Sequence, residues 1–244
     1  MNRQFSVACH LWFTGVLATL AVVLSSGAAA QSSGAILQVA RALEGTTYVV
    51  PMNQYREGVL DTCGFEFKAM AFDTAYKRGA PIAINGSFGL RKFGPKQVAV
   101  TYKVGIFNVS DAGGVQPEAP NYAWIKLGTV IVKPEQTMAS DTPGYKLYLS
   151  GLNAETAAAL DAVVEQRPVL VGFNRIDGGL DVVVPIDLSV RDTMVSDGKA
   201  VRKRDDQLGR GFAQCLGELL AGMRRRSRRA VALPDKRWGH WRRR

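Results

Sequence analysis

Cys63 and Cys215 restrict the folding of this chain more than any other pair of residues. A bond between them would close a loop of about 150 residues and stabilise the folded state by roughly 5 kcal/mol in the chain-entropy picture. The third cysteine, Cys9, lies in a segment that reads as a secretory leader. Arg3 supplies a positive start, residues 11–24 form an apolar core, and the small residues from Ser25 to Ala30 suit a cut between Ala30 and Gln31. The competing reading is an uncleaved anchor, but the core is short for a span of ~20 residues. Cleavage leaves an even number of cysteines in an oxidising compartment. That setting favours a disulfide over two separate buried thiols. The protein is therefore expected in the periplasm or outside the cell.

The charge is unevenly distributed. The whole chain of 244 residues carries +10. Residues 223–244 hold ten basic groups and one acid, while residues 31–222 hold 20 of each sign. The body is neutral, so the excess says nothing about nucleic-acid binding by the folded part. Three domains follow: a leader over 1–30, one exported domain over 31–222, and a basic, disordered tail over 223–244. If the tail is genuine, its arginines, with Trp238 and Trp241, suit nucleic acid or anionic lipid. The alternatives are a solvated tail without a partner and a frame error in the gene, since the composition changes abruptly after a well-patterned helix.

Within the body, runs rich in β-branched and aromatic residues dominate. Residues 31–34 read as mobile, and 35–43 fit a helix or a strand, a strand leading into Tyr48 being slightly preferred. Residues 58–72 alternate around Cys63, Phe65 and Phe67. Residues 81–90 and 98–109 follow, the latter with Val98, Val100, Tyr102, Val104 and Ile106 on one face. Residues 122–132 read as one strand, and 145–149 as another. A mid-chain helix starts at Asn153 and stops at Arg167-Pro168. Asp177-Gly178-Gly179 marks a hairpin whose second arm carries Pro185, an edge or bulge signal. Residues 196–206 read as a solvated loop. A second helix, 207–222, lines up Leu208, Phe212, Cys215, Leu216, Leu219 and Leu220. The expected class is α+β, mainly β, with antiparallel sandwich-like sheets, one mid-chain helix and one C-terminal helix.

The two histidines are His10 and His240, both outside the body. A Ser-His-Asp or Cys-His mechanism is thereby excluded there, as is a His-ligated zinc site. No phosphate loop, dinucleotide fingerprint or calcium loop is present, and no catalytic residue, metal or cofactor is expected. Ser196 and Lys199 match S-x-x-K, but Asp197-Gly198 argues for a turn rather than the helix that motif needs. Glu66 and Asp73 are the acids nearest aromatics and the candidates for a carboxylate hydrolase. Against that, Glu66 reads as the outward position of a strand. Tyr55, Arg56, Glu57, Asp73, Tyr76 and Lys77 bracket that strand as a speculative ligand patch. Trp124 reads as core. The expected function is non-enzymatic binding or accessory work with an envelope or extracellular protein. The alternatives are a histidine-free hydrolase of an envelope polysaccharide and a polyanion or anionic-membrane binder acting through the tail.

Overall fold

The computed structural model describes residues 32–94, 97–110 and 114–231, with side chains as far as Met223. The leader, its cut between Ala30 and Gln31, and residues 232–244 lie outside the described residues. Among the described residues the chain is mainly β, with antiparallel sheets and three helices.

The first element corrects the sequence reading. Residues 35–43 belong to a helix, α1 (Ser32–Leu43), which also takes in Ser32 to Gly34. Ile36 and Ala40 are buried, and four residues apart is the spacing of one helical face. That periodicity outweighs the β-propensity of Ile36 and Val39.

Four long strands follow as a meander: β1 (Gly45–Arg56), β2 (Val59–Asp73), β3 (Ala80–Lys92) and β4 (Val98–Val109). β1 turns into β2 through Glu57 and Gly58, at φ 53° and 72°. These are the left-handed pair that a tight two-residue hairpin requires. The larger sheet runs β1-β2-β3-β4-β9-β8, with β8 (Gln136–Ala139) and β9 (Tyr145–Gly151) at its far edge. β5 (Val115–Glu118) pairs with the end of β4.

The expected strand over 122–132 is two, β6 (Tyr122–Leu127) and β7 (Val130–Val132), folded back at Gly128 and Thr129. With β10 (Val169–Asn174) and β11 (Val182–Ile186) they form a smaller sheet in the order β11-β10-β6-β7. Pro185 lies on β11, an edge strand, as its missing N–H demands. The second arm stops at Ile186.

The expected loop over 196–206 is corrected too. β12 (Val190–Ser196) and β13 (Lys199–Arg204) pair as a hairpin across Asp197 and Gly198.

Between the sheets lies one core. Val100, Tyr102, Val104 and Ile106 of β4 point into it, with Ala123, Ile125, Leu127, Val171 and Phe173 from the smaller sheet. Tyr102 stacks on Tyr148 at 4.9 Å and donates from its hydroxyl to the Ala123 carbonyl at 3.1 Å, joining the layers. α2 (Ala154–Val164) starts with a capping box between Asn153 and Thr156 and buries Ala159, Leu160 and Val163.

The last helix, α3 (Leu208–Val231), lays Leu208, Phe212, Cys215 and Leu219 into the same core, while Leu220 faces outward. Cys215 is bonded to Cys63 of β2, with Cα atoms 5.7 Å apart. The expected boundary at 222/223 falls inside this helix, whose backbone continues through Val231.

Candidate functional site

The bracketing patch divides in two. Tyr55 and Arg56 end β1 and Glu57 turns it into β2, while Asp73 ends β2 and Tyr76 and Lys77 lie in the β2–β3 turn. The 15 residues of β2 separate them by roughly 45 Å. They form no common site.

The Asp73 end is a clamp. Asp73 is fully buried; its Oδ2 accepts from Arg175 Nε at 2.7 Å and its Oδ1 from the Tyr76 amide at 2.8 Å. Arg175 also donates from Nη2 to Asn108 Oδ1 at 2.8 Å, and its Nη1 lies 2.6 Å from Glu118 Oε2. Tyr76 donates its hydroxyl hydrogen to the Leu180 carbonyl. One guanidinium thus joins the β2–β3 turn, β4 and β5 to the β10–β11 loop. Burial pushes the Glu118 carboxyl up, but hydrogen bonds from Arg175 and Asn108, with the charges of Arg175 and Lys77, outweigh it and hold the group below its ordinary 4.5. No sequence signal singled out Arg175, which reads as an ordinary hairpin-loop residue.

Beside the clamp lies the solvent face of the smaller sheet. In β6 the inward residues are Ala123, Ile125 and Leu127. This reverses the expectation for Trp124, which stands on the outer face with Tyr122 and Lys126. Its indole lies over Gly172, directly opposite on β10, where an added Cβ would stand 2.1 Å from the ring. Its Nε1 donates to Asp181 Oδ2 at 2.7 Å. Val183 and Pro185 on β11 and Ile131 on β7 are exposed on the same sheet, and Leu180 is 74% exposed at the loop above. Burying such side chains against a partner would be favourable, as it is inside a core.

Two clefts lie elsewhere. One of about 560 Å³ runs between β7 and the start of α2, with Lys133, Glu135 and Glu155 among its lining residues. Its Ser150 hydroxyl donates to the Lys133 carbonyl, and its Asn153 is held in the cap. The other, about 470 Å³, includes Arg202 and Arg204. Arg202 donates from Nε to the Thr46 carbonyl at 3.1 Å, and Arg204 pairs with Asp187 at 2.7 Å.

The carboxylate pair considered from sequence does not assemble. Glu66 is exposed in mid-strand and Asp73 is buried seven residues away, some 23 Å along β2 and on its other face. Ser196 and Lys199 face each other across the β12–β13 turn, not along a helix. No cluster of His, Cys, Asp and Glu that could hold a metal occurs among the described residues. Comparison with protein-family models, curated proteins and solved structures finds no match.

Proposed function

We propose that this is an exported binding module that works with an envelope or extracellular protein through the outer face of its smaller sheet. The observation that carries this reading is Trp124, seated on Gly172 and locked to Asp181 amid exposed Val183, Ile131 and Leu180. A rigid aromatic anchor with apolar neighbours and a polar rim is the usual composition of a protein-binding surface. The Cys63–Cys215 bridge supports the exported setting, since such bonds persist in oxidising compartments. Among the described residues no helix is long and apolar enough to cross a membrane.

The test is retention of the full chain on isolated envelopes of its host. Saturable retention that falls at least tenfold for Trp124→Ala, with the melting transition kept, is the expected result. Retention unchanged by Trp124→Ala and Val183→Asp would remove this face from the function.

One observation favours a second reading. Glu135 and Glu155 share the larger cleft, and two carboxyl groups are what polysaccharide hydrolysis needs. Release of reducing sugar from envelope glycan, abolished by Glu135→Gln or Glu155→Gln, would establish it over the first.

A further inference from the structure

The far end of the molecule, opposite the Arg175 clamp, combines features that no binding role of the smaller sheet uses. The apolar stripe of α3 ends with Leu219, one turn before the helix passes the last residue of β3. A Cβ built on Gly222 would lie 3.5 Å from Lys92 Nζ, which donates to the Leu60 carbonyl of β2. Here the sheet runs out, yet the helix backbone continues for nine more residues, about 13 Å, through Val231. Five of the six residues from 224 to 229 are arginine. The body would be expected to continue an apolar stripe only where it has a sheet to cover.

The strand ends beneath add to this charge. Arg56 ends β1, and Arg91 and Lys92 end β3. The acids on these strand ends and the turn between them are Glu57 and Asp61, with Glu218 one turn before Gly222 on α3; Asp61 is held by Arg56 and Arg91 at 3.4 and 3.5 Å. Tyr55, near the end of β1, is 62% exposed, and Phe93, just after β3, is 49% exposed. The pairing of Tyr55 with Leu60, and of Thr62 with Arg91, brings residues 55 and 93 to the same end of the sheet, their backbones about 10 Å apart across β2. The disulfide fixes the helix to β2 at Cys63, and the arginine segment follows Gly222 at the end of β3.

We propose that this end docks on an anionic lipid surface, the arginines meeting phosphate headgroups and Tyr55 and Phe93 entering the interfacial layer. Arginine pairs well with phosphate, and exposed aromatic rings favour the depth of the headgroups. Paired rings at a sheet end, outside both clefts, suit a broad interface better than the groove that single-stranded nucleic acid tracks. This deepens the binding reading and rests on it: the lipid end would hold the module at the envelope while the Trp124 face takes the protein partner.

The experiment is co-sedimentation of the full chain with phosphatidylcholine vesicles, with and without about 30% phosphatidylglycerol, at about 0.1 and 0.5 M NaCl. Binding is expected only to the anionic vesicles and is expected to weaken in high salt. Replacing the five arginines between 224 and 229 by glutamine should weaken it roughly a thousandfold or more, at about fivefold for each basic group lost near the surface. The pair Tyr55→Ala and Phe93→Ala should weaken it with the charges intact. Oxidised Cys63–Cys215 and an unchanged melt would show that each variant is folded. Absence of vesicle binding, or vesicle binding untouched by either variant, overturns the proposal. So does tighter binding to a DNA duplex that ignores the two rings. Envelope retention through Trp124 that survives while vesicles fail sinks the lipid inference alone; loss of both sinks the binding reading with it.

Discussion

Arg175 is the residue on which the clamp end depends. It is 4% exposed and faces an aspartate that is wholly buried. Breaking such a pair by removing one partner leaves an unpaired charge in the interior, at about 3–5 kcal/mol. Arg175→Met should therefore lower the unfolding free energy by that amount in urea titrations. A loss below about 1 kcal/mol would mean that water reaches Asp73. Acid should weaken both this clamp and the cleft where Arg204 pairs with Asp187. Glu118 and Asp187 are both held below their ordinary values of 4.5 and 3.8. For Asp187 burial acts upward, and bonds from Ser189 with the charge of Arg204 outweigh it. A carboxyl lowered by folding stabilises the fold above its unfolded value, and that stability is lost as pH falls through the folded value. The melting temperature should thus hold from neutrality down to about pH 5 and fall below about pH 4.5, less steeply in Glu118→Gln. A flat profile to pH 3 would contradict the assignment. None of this was legible from the sequence, since Asp73 and Arg175 lie 102 residues apart with ordinary neighbours. Trp124 was misread for a different reason. Two aromatic rings lie on one face of β6 and three aliphatic side chains on the other, and the space between the sheets is already filled by Tyr102, Tyr148 and Phe65. The smaller residues Ala123, Ile125 and Leu127 fit there, which sends the larger rings outward.

At the scale of elements, the long strands were readable because their alternation is unbroken. β4 buries Val100, Tyr102, Val104 and Ile106 as its pattern requires. The mid-chain helix was readable from its cap. What failed were segments whose charge or brevity obscured the period. In α1, Ile36 and Ala40 were set against the β-propensity of Ile and Val, and the four-residue spacing prevailed. In β12 and β13, Lys199, Arg202, Lys203 and Arg204 looked solvated, yet Asp197-Gly198 is a strong hairpin signal, and both residues take positive φ. An exposed hairpin can carry charge on both faces and still pair. The bridge between β2 and α3 was legible as a possibility, and the helical stripe put Cys215 on the inward side. The structure closes it across a sequence separation of 152 residues. Replacing both cysteines by alanine should cost up to about 5 kcal/mol, the loop-closure contribution in the entropic model. Reduction of the native chain should give a comparable loss. If the double variant unfolds at the same urea concentration as the native protein, packing of Phe212 and Leu219 alone holds α3.

For the whole molecule, the disulfide, the neutral body and the basic extension make one testable statement about where the chain works and in what form. The bond is deeply buried, with Cys63 at 0% and Cys215 at 3% exposure, and such bonds persist best in an oxidising space. Export through the leader would deliver the chain there and remove Cys9, whose thiol could otherwise exchange with the pair. Protein recovered from outside the cytoplasm of its host should accordingly have an intact mass that begins at Gln31. That mass should rise by about two hydrogens on reduction. The same spectrum weighs the residues beyond Gly222. A mass that includes them places five arginines on the end of α3 in the mature protein, where lipid docking requires them. A chain ending near Gly222 would leave a neutral sandwich with the Trp124 face intact and no cationic end. A mass from Met1 that reduction leaves unchanged would put Cys63 and Cys215 in the thiol form and remove the support that the bridge lends to export.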